Sequence, residues 1–267
     1  MNNKPSNIVI AVATHKPYEM PEDACYLPLH VGADLKPDVC KDIQQDNIGE
    51  NISSKNAFYS ELTGLYWMWK NCNAEYKGLV HYRRHFKSPK PQQATTGLQG
   101  VADESDYLKL FDDGVQAVLP KKRNYYIETI EQHYRHTLPE EQLDTAKKVV
   151  AEVSPECLSA FESVLSGKKA HMFNMFVMQR DCFDAYCDWL FNVLFKLEEE
   201  LDPSKYDAFH ARYLGRISER LLDAWLMTNN IKYSELKTLS PERVNWIKKG
   251  TSFLTAKFFG KKYNKSF

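Results

Sequence analysis

The sequence predicts an α/β fold with a mostly parallel central sheet flanked by helices. Three observations carry that expectation. Asn7 to Ala13 (NIVIAVA) is a continuous β-branched apolar run, the pattern of a central parallel strand covered on both faces. Leu62, Leu65, Tyr66 and Trp69 recur at i, i+3, i+4 and i+7, one apolar face of a helix, and Gly78-Leu79-Val80 soon follows as a short buried strand. Beyond them lie amphipathic segments punctuated by proline and glycine, the flanking helices.

At 267 residues the chain can bury a sizeable core as one large α/β domain, with residues 241–267 set apart from 1–240 by composition. Lys plus Arg number 35 and Asp plus Glu 35, so the formal net charge of zero argues against a nucleic-acid binder. The cysteines, Cys25, Cys40, Cys72, Cys157, Cys182 and Cys187, include no C-x-x-C pair and suggest neither a zinc ribbon nor a disulfide framework. The amino-terminal apolar run is too short for a signal peptide, and no run approaches the roughly 20 residues of a membrane span. The expected location is cytoplasmic.

The first strand stops at Thr14-His15-Lys16. Residues 17–45 hold Pro17, Pro21, Pro28 and Pro37 and are expected to be loop-rich. The stretch from Asp46 to Phe86 organises the rest: an Asn-rich loop, the helix, and a strand ending in His81-Tyr82-Arg83-Arg84-His85. That run is too polar and cationic to continue into a core, and strand ends of this kind are where open α/β sheets place ligands. Ser88 to Gly100 is a polar loop with prolines and glycines. A short helix is predicted over 106–112 and a strand over 115–119. Tyr125, Tyr126, His133, Tyr134 and His136 then cluster, either as a wall for a sugar or as ordinary amphipathic packing. Helices are predicted over 139–150, 155–165 and 181–197, and residues 170–178 form an apolar run interrupted by Asn174, which needs a backbone or substrate partner. On a helix over 215–227, Leu221, Leu222 and Trp225 share one face while Arg216, Glu219 and Asp223 fall within about a 60° arc elsewhere, so the acids are expected to point away from the core.

DNIGENISSKNAFYSELTGLYWMWKN with GLVHYRRHF, together with THKPYEMPEDACYLPLHVGAD, HMFNMFVM and GRISERLLDAWL, resembles the signature of a bacterial family. That family, formerly of unknown function, comprises capsular and exopolysaccharide biosynthesis glycosyltransferases and is similar to GT-A enzymes. The resemblance spans most of residues 7–230. It implies a single GT-A-like, Rossmann-like domain that moves a hexosyl group, galactofuranosyl in some relatives, from a nucleotide sugar, UDP-linked, to a lipid-linked or oligosaccharide acceptor. Capsule, exopolysaccharide or O-antigen would be the product, with inversion at the transferred carbon. Thr14 and His15, at the first strand end, become candidates for the nucleotide, as do Asn51 and Asn56 of the Asn-rich loop and His81, Tyr82, Arg83 and Arg84. His133, His136 and Asn174 become candidates for the acceptor side.

Inversion needs a base for the acceptor hydroxyl and a group that neutralises the departing diphosphate. Many GT-A enzymes hold the diphosphate through Asp-x-Asp and a divalent metal, but this chain has two arginines there, whose planar forks match phosphate oxygens. No required cofactor is therefore expected, and Asp103, Asp106, Asp112 and Asp113 remain available should a metal be used. Resemblance to inverting GT-A enzymes makes Glu219, near the start of a late helix, the candidate base, with Asp223 in reserve. An ordinary surface pair with Arg216 or Arg220 is the plain alternative. A non-catalytic sugar- or nucleotide-binding subunit of an assembly complex is the other functional class. Residues 247–267 interleave six lysines with phenylalanines and tyrosine and contain no acid, a pattern suited to peripheral attachment to the anionic inner face of the cell membrane.

Overall fold

The computed structural model describes residues 7–91 and 97–241. In chain order the strands are β1 (Ile8–Thr14), β2 (Tyr26–His30), β3 (Gln44–Gln45), β4 (Tyr76–His81), β5 (His85–Phe86), β6 (Ala117–Pro120), β7 (Arg123–Asn124), β8 (Lys169–Ala170), β9 (Phe176–Gln179), β10 (Tyr233–Leu236) and β11 (Thr238–Leu239). The helices are α1 (Asn56–Tyr59), α2 (Leu62–Asn71), α3 (Glu104–Asp112), α4 (Ile130–Thr137), α5 (Glu140–Val153), α6 (Pro155–Ser166), α7 (Arg180–Glu200) and α8 (Tyr213–Thr228). The described chain divides into two compact units, the first from residues 7–121, 173–189 and 230–241, the second from 122–172 and 190–229. No described helix is long and apolar enough to cross a membrane.

The first unit holds a seven-stranded sheet in the order β10-β6-β9-β4-β1-β2-β3. The pairs β1–β2, β1–β4, β2–β3 and β6–β10 are parallel, while β9 runs antiparallel to both its neighbours. The expected mostly parallel sheet is therefore present. Successive side chains alternate faces. Ile8, Ile10, Val12, Val80, Val118 and Val177 pack with Tyr107 and Phe111 of α3, and Tyr26 joins this layer through a 2.9 Å hydrogen bond to the Tyr107 hydroxyl. On the other face α2 approaches closely because Gly64 has no side chain: a Cβ there would stand 2.8 Å from Val31 Cγ1. Leu62, Leu65 and Met68 of α2 are fully buried, each worth about 1.5–3 kcal/mol of burial. Lys77, on this same face, is buried and ion-paired with Asp184 of α7. Residues 17–45, expected as loop-rich, also contribute β2, paired between β1 and β3, and the edge strand β3.

The second unit is helical apart from the β7–β8 pair. Proline opens α6 in its first turn, and Thr129 caps α4 by accepting from Gln132 N–H while the Gln132 side chain accepts from Thr129 N–H. Leu143, Val150, Phe161, Leu165, Leu194, Ile217 and Leu221 are among its fully buried side chains.

Candidate active site

At the carboxyl ends of β1 and β4 the chain builds a cationic, aromatic corner. After His81 it reverses at once: His81 N–H donates to Arg84 O at 3.2 Å and Arg84 N–H to His81 O at 2.9 Å, leaving Tyr82 and Arg83 at the turn. Tyr82 N–H donates to Ala13 O at 3.2 Å, which ties the turn to β1. The Tyr82 ring is buried between His15, edge-on at 5.4 Å, and Tyr18 at 4.8 Å. Lys16 Nζ lies 5.4 Å and the Arg83 guanidinium 5.3 Å from its centroid, and Arg84 stacks 3.8 Å over Phe173. Thr14 is buried, its hydroxyl donating to Lys16 O at 2.6 Å, so it shapes the strand end. Thr14, His15, His81, Tyr82, Arg83 and Arg84 are thus gathered at one sheet edge, and Lys16 joins them.

A second group sits at this edge. The Asn174 amide donates to Glu61 Oε1 at 2.7 Å, and His81 Nε2 lies 2.8 Å from Phe173 O and 3.9 Å from Glu61 Oε1. Ser60, Phe173 and Asn174 all have positive φ (55°, 83° and 49°). Such backbone is costly for a bulky side chain and concentrates where function over-determines geometry. Residues 170–178 are consequently not one strand: β8 ends at Ala170, β9 begins at Phe176, and the left-handed Phe173–Asn174 turn intervenes, its Asn side chain committed to Glu61. Glu61 was not legible in the sequence, since an acid preceding an apolar helix is an ordinary helix-start signal.

The Asn-rich loop serves a different end. Its centre is Asp46, fully buried, whose carboxylate accepts from Gly32 N–H (2.8 Å), Ala33 N–H (3.0 Å), Ser53 Oγ (2.5 Å) and Thr63 Oγ1 (2.7 Å). Asn56 donates to Ser60 O and Thr63 Oγ1, and sits where a Cβ on Gly32, at φ 74°, would meet it at 2.6 Å. Asn51 bonds Gly49 O and Ser53 N–H. These hydrogen bonds hold the loop against α2, and the side chains of Asn51 and Asn56 take part in them.

In the second unit Asp223 is buried, 2% exposed, and accepts from His171 N–H at 2.9 Å and His171 Nδ1 at 2.6 Å, with Lys122 Nζ at 3.4 Å. Burial pushes its carboxyl up, but His171 and Lys122 outweigh that and hold it below the usual carboxylate range. The expectation that the acids of α8 point away from the core fails for Asp223, because His171 and Lys122 compensate its charge inside. Glu219 is half-buried, 3.4 Å from Arg220 Nη1, and Arg220 in turn lies 5.0 Å over the Tyr134 ring. Glu128, 4% exposed, accepts from His133 Nδ1 (2.7 Å) and His136 Nδ1 (3.1 Å), while Tyr125 packs on His133 at 4.6 Å. Of the tyrosines in this cluster, Tyr125 and Tyr134 are packing residues and only Tyr126 is exposed.

Among the described residues no group of three or more His, Cys, Asp or Glu is arranged to hold a metal ion. Asp103 and Asp106 form the capping box of α3 and pair with Lys90.

No curated protein matches this chain. Among solved structures it is similar to the apo structure of the bifunctional glycosyltransferase WbbM, at 32% identity and a TM-score of 0.75, over 88% of this chain and 45% of that one. The chain thus spans less than half the length of that enzyme. Residues 9–230 match the family described as a domain of unknown function, DUF4422; with most of its length inside that match, the chain belongs to this family.

Proposed function

We propose that the chain is a glycosyltransferase that moves a hexosyl group, with inversion, from a UDP-linked sugar to a lipid-linked or oligosaccharide acceptor. Surface-polysaccharide assembly is the setting, and galactofuranose is among the candidate sugars. The observation that supports this most is the corner at the carboxyl ends of β1 and β4, where Lys16, Arg83 and Arg84 stand at the sheet edge that also holds Glu61, His81 and Asn174. Cations at that edge suit a diphosphate, and a half-buried carboxylate with an amide partner suits sugar hydroxyls. The likeness to WbbM, and a sheet in which one antiparallel strand interrupts parallel ones, support the GT-A-like reading. Because the likeness covers 45% of a bifunctional enzyme, it supports one transferase activity here.

In this reading Arg83 and Arg84 neutralise the leaving diphosphate without a metal, Glu219 takes the acceptor proton, and His133 and His136 serve the acceptor side. The basic-aromatic tail proposed for 241–267 lies, from residue 242 on, outside the described residues, and peripheral attachment through it belongs to the proposal. The test is a panel of nucleotide sugars: the true donor must raise the melting temperature and, with acceptor present, release free nucleoside diphosphate. No stabilisation by any donor overturns the reading. Binding without turnover moves the chain to the non-catalytic class, and activity abolished by EDTA and restored by manganese overturns the metal-free step.

A further inference from the structure

Beyond the β7–β8 pair, the connection from β7 to α4 makes a turn with an exposed tip. Tyr126 and Ile127 are consecutive and exposed, at 76% and 51%. Tyr126 takes a left-handed backbone, φ 55°, which non-glycine residues disfavour. The turn is nevertheless firmly built. Tyr126 N–H donates to Asn124 Oδ1 at 2.9 Å, Lys168 Nζ donates to Tyr126 O at 3.3 Å, and Ile127 N–H donates to Tyr125 O at 2.6 Å. Tyr125 anchors its base, buried against His133. Pairing of Arg123 with Ala170 and of Asn124 with Lys169 brings Arg123, Lys168 and Lys169 alongside, all exposed. None of the three is ion-paired among the described residues. Glu128, the next acid along the chain, is buried beneath His133 and His136.

We propose that this turn docks on an anionic bilayer surface, with Tyr126 and Ile127 entering the interface and Arg123, Lys168 and Lys169 meeting lipid phosphates. A protein partner fits less well. Two side chains at a turn tip fall far short of the roughly 800 Å² that each side of a stable protein interface buries, whereas a bilayer accepts a tyrosine, an isoleucine and flanking cations as they stand. The proposal rests on residues other than 241–267 and does not depend on the reaction assigned above.

The test is co-sedimentation of the full chain with vesicles of phosphatidylglycerol mixed with phosphatidylcholine, against phosphatidylcholine alone. Wild type is expected to bind the anionic vesicles and to leave them at high salt. Tyr126→Ser with Ile127→Ser should weaken binding about tenfold, and Arg123→Gln, Lys168→Gln and Lys169→Gln together about a hundredfold, with melting unchanged. Tyr126→Trp, with the spectrum of wild type and its five native tryptophans subtracted, should show added emission shifted to the blue on anionic vesicles only, a readout that stands if the multiple variants fold poorly. Wild type that ignores anionic vesicles, binds both compositions equally, or binds no better than the variants overturns the proposal, as does emission from the Tyr126→Trp variant that the vesicles leave unmoved; equal binding by wild type and variants assigns attachment elsewhere, including the tail.

Discussion

Asn174 reaches across 113 positions of sequence to donate to Glu61 Oε1 at 2.7 Å, and both residues stand beside left-handed backbone. Strain of about 1–3 kcal/mol at each such residue persists where surroundings over-determine it, and under the proposed function a carboxylate fixed at the carboxyl ends of the strands, where open α/β sheets place ligands, is suited to gripping sugar hydroxyls. Glu61→Gln is therefore expected to leave affinity for UDP unchanged while lowering kcat/KM for the intact nucleotide sugar by about tenfold to a hundredfold, the loss of one charged hydrogen bond. Isothermal titration with UDP and steady-state rates separate the two effects. A parallel loss of UDP affinity would show that Glu61 holds the corner together.

Arg83 sits at the tip of a two-residue turn and Arg84 stacks on Phe173, so neither props up the core. Arg83→Ala and Arg84→Ala should each keep the wild-type melting temperature and cost about a hundredfold in kcat, the scale for removing one preorganised charge donor from a developing anion. Near-wild-type turnover in both variants would remove the diphosphate role.

Much of this corner was legible in the chain. An apolar run that breaks into His-Tyr-Arg-Arg-His marks a strand leaving a core, and β4 ends there, at His81. The helix over Leu62 to Trp69 and the long helices of the second unit followed from periodicity and proline placement. The missed features are those that depend on partners distant in sequence. Asp46 looks like one more polar loop residue until Gly32, Ser53 and Thr63 converge on it, and Asp223 looks like a surface acid until His171 meets it. Helical phase says which residues share a face but not whether that face is buried with its charge compensated, and β9 is short because a turn replaced half of an apolar run.

Glu219 and Asp223 separate by environment. Asp223 is buried and held below the usual carboxylate range by His171 and Lys122, which makes it a poor proton acceptor and an anchor for the chain at His171. Asp223→Asn should lower stability by about 3–5 kcal/mol, the cost of leaving a buried partner uncompensated, visible as a large drop in melting temperature. Glu219→Gln should melt like wild type, retain nucleotide-sugar binding, and lose transfer by a factor of about 10² to 10⁴. Unaltered transfer by Glu219→Gln, with Asp223→Asn folded but inactive, would reverse the assignment.

His85 sets an acid limit on the first unit. It is fully buried in β5, its Nε2 is 3.3 Å from Tyr82 O, and its Nδ1 has no partner among the described residues. Burial is the main cause that lowers its pKa from 6.5 to about 4, partly opposed by the Tyr82 carbonyl. Above pH 6.5 the ring is neutral folded and unfolded, so it makes stability independent of pH. Between pH 6.5 and about 4 the unfolded chain binds a proton that the folded chain does not, and stability falls with pH by at most about 3 kcal/mol for this group. His133, in the second unit, is also lowered to about 4, chiefly by burial, and acts in the same direction. Urea unfolding followed across this range should show the decline in wild type. In His85→Phe, which keeps a ring of similar size against Tyr26 and has no site to protonate, the decline should be shallower by the share that His85 contributes. An identical acid limb in wild type and His85→Phe would mean that His85 is protonated in the fold, and its burial would then be compensated by a group other than the Tyr82 carbonyl.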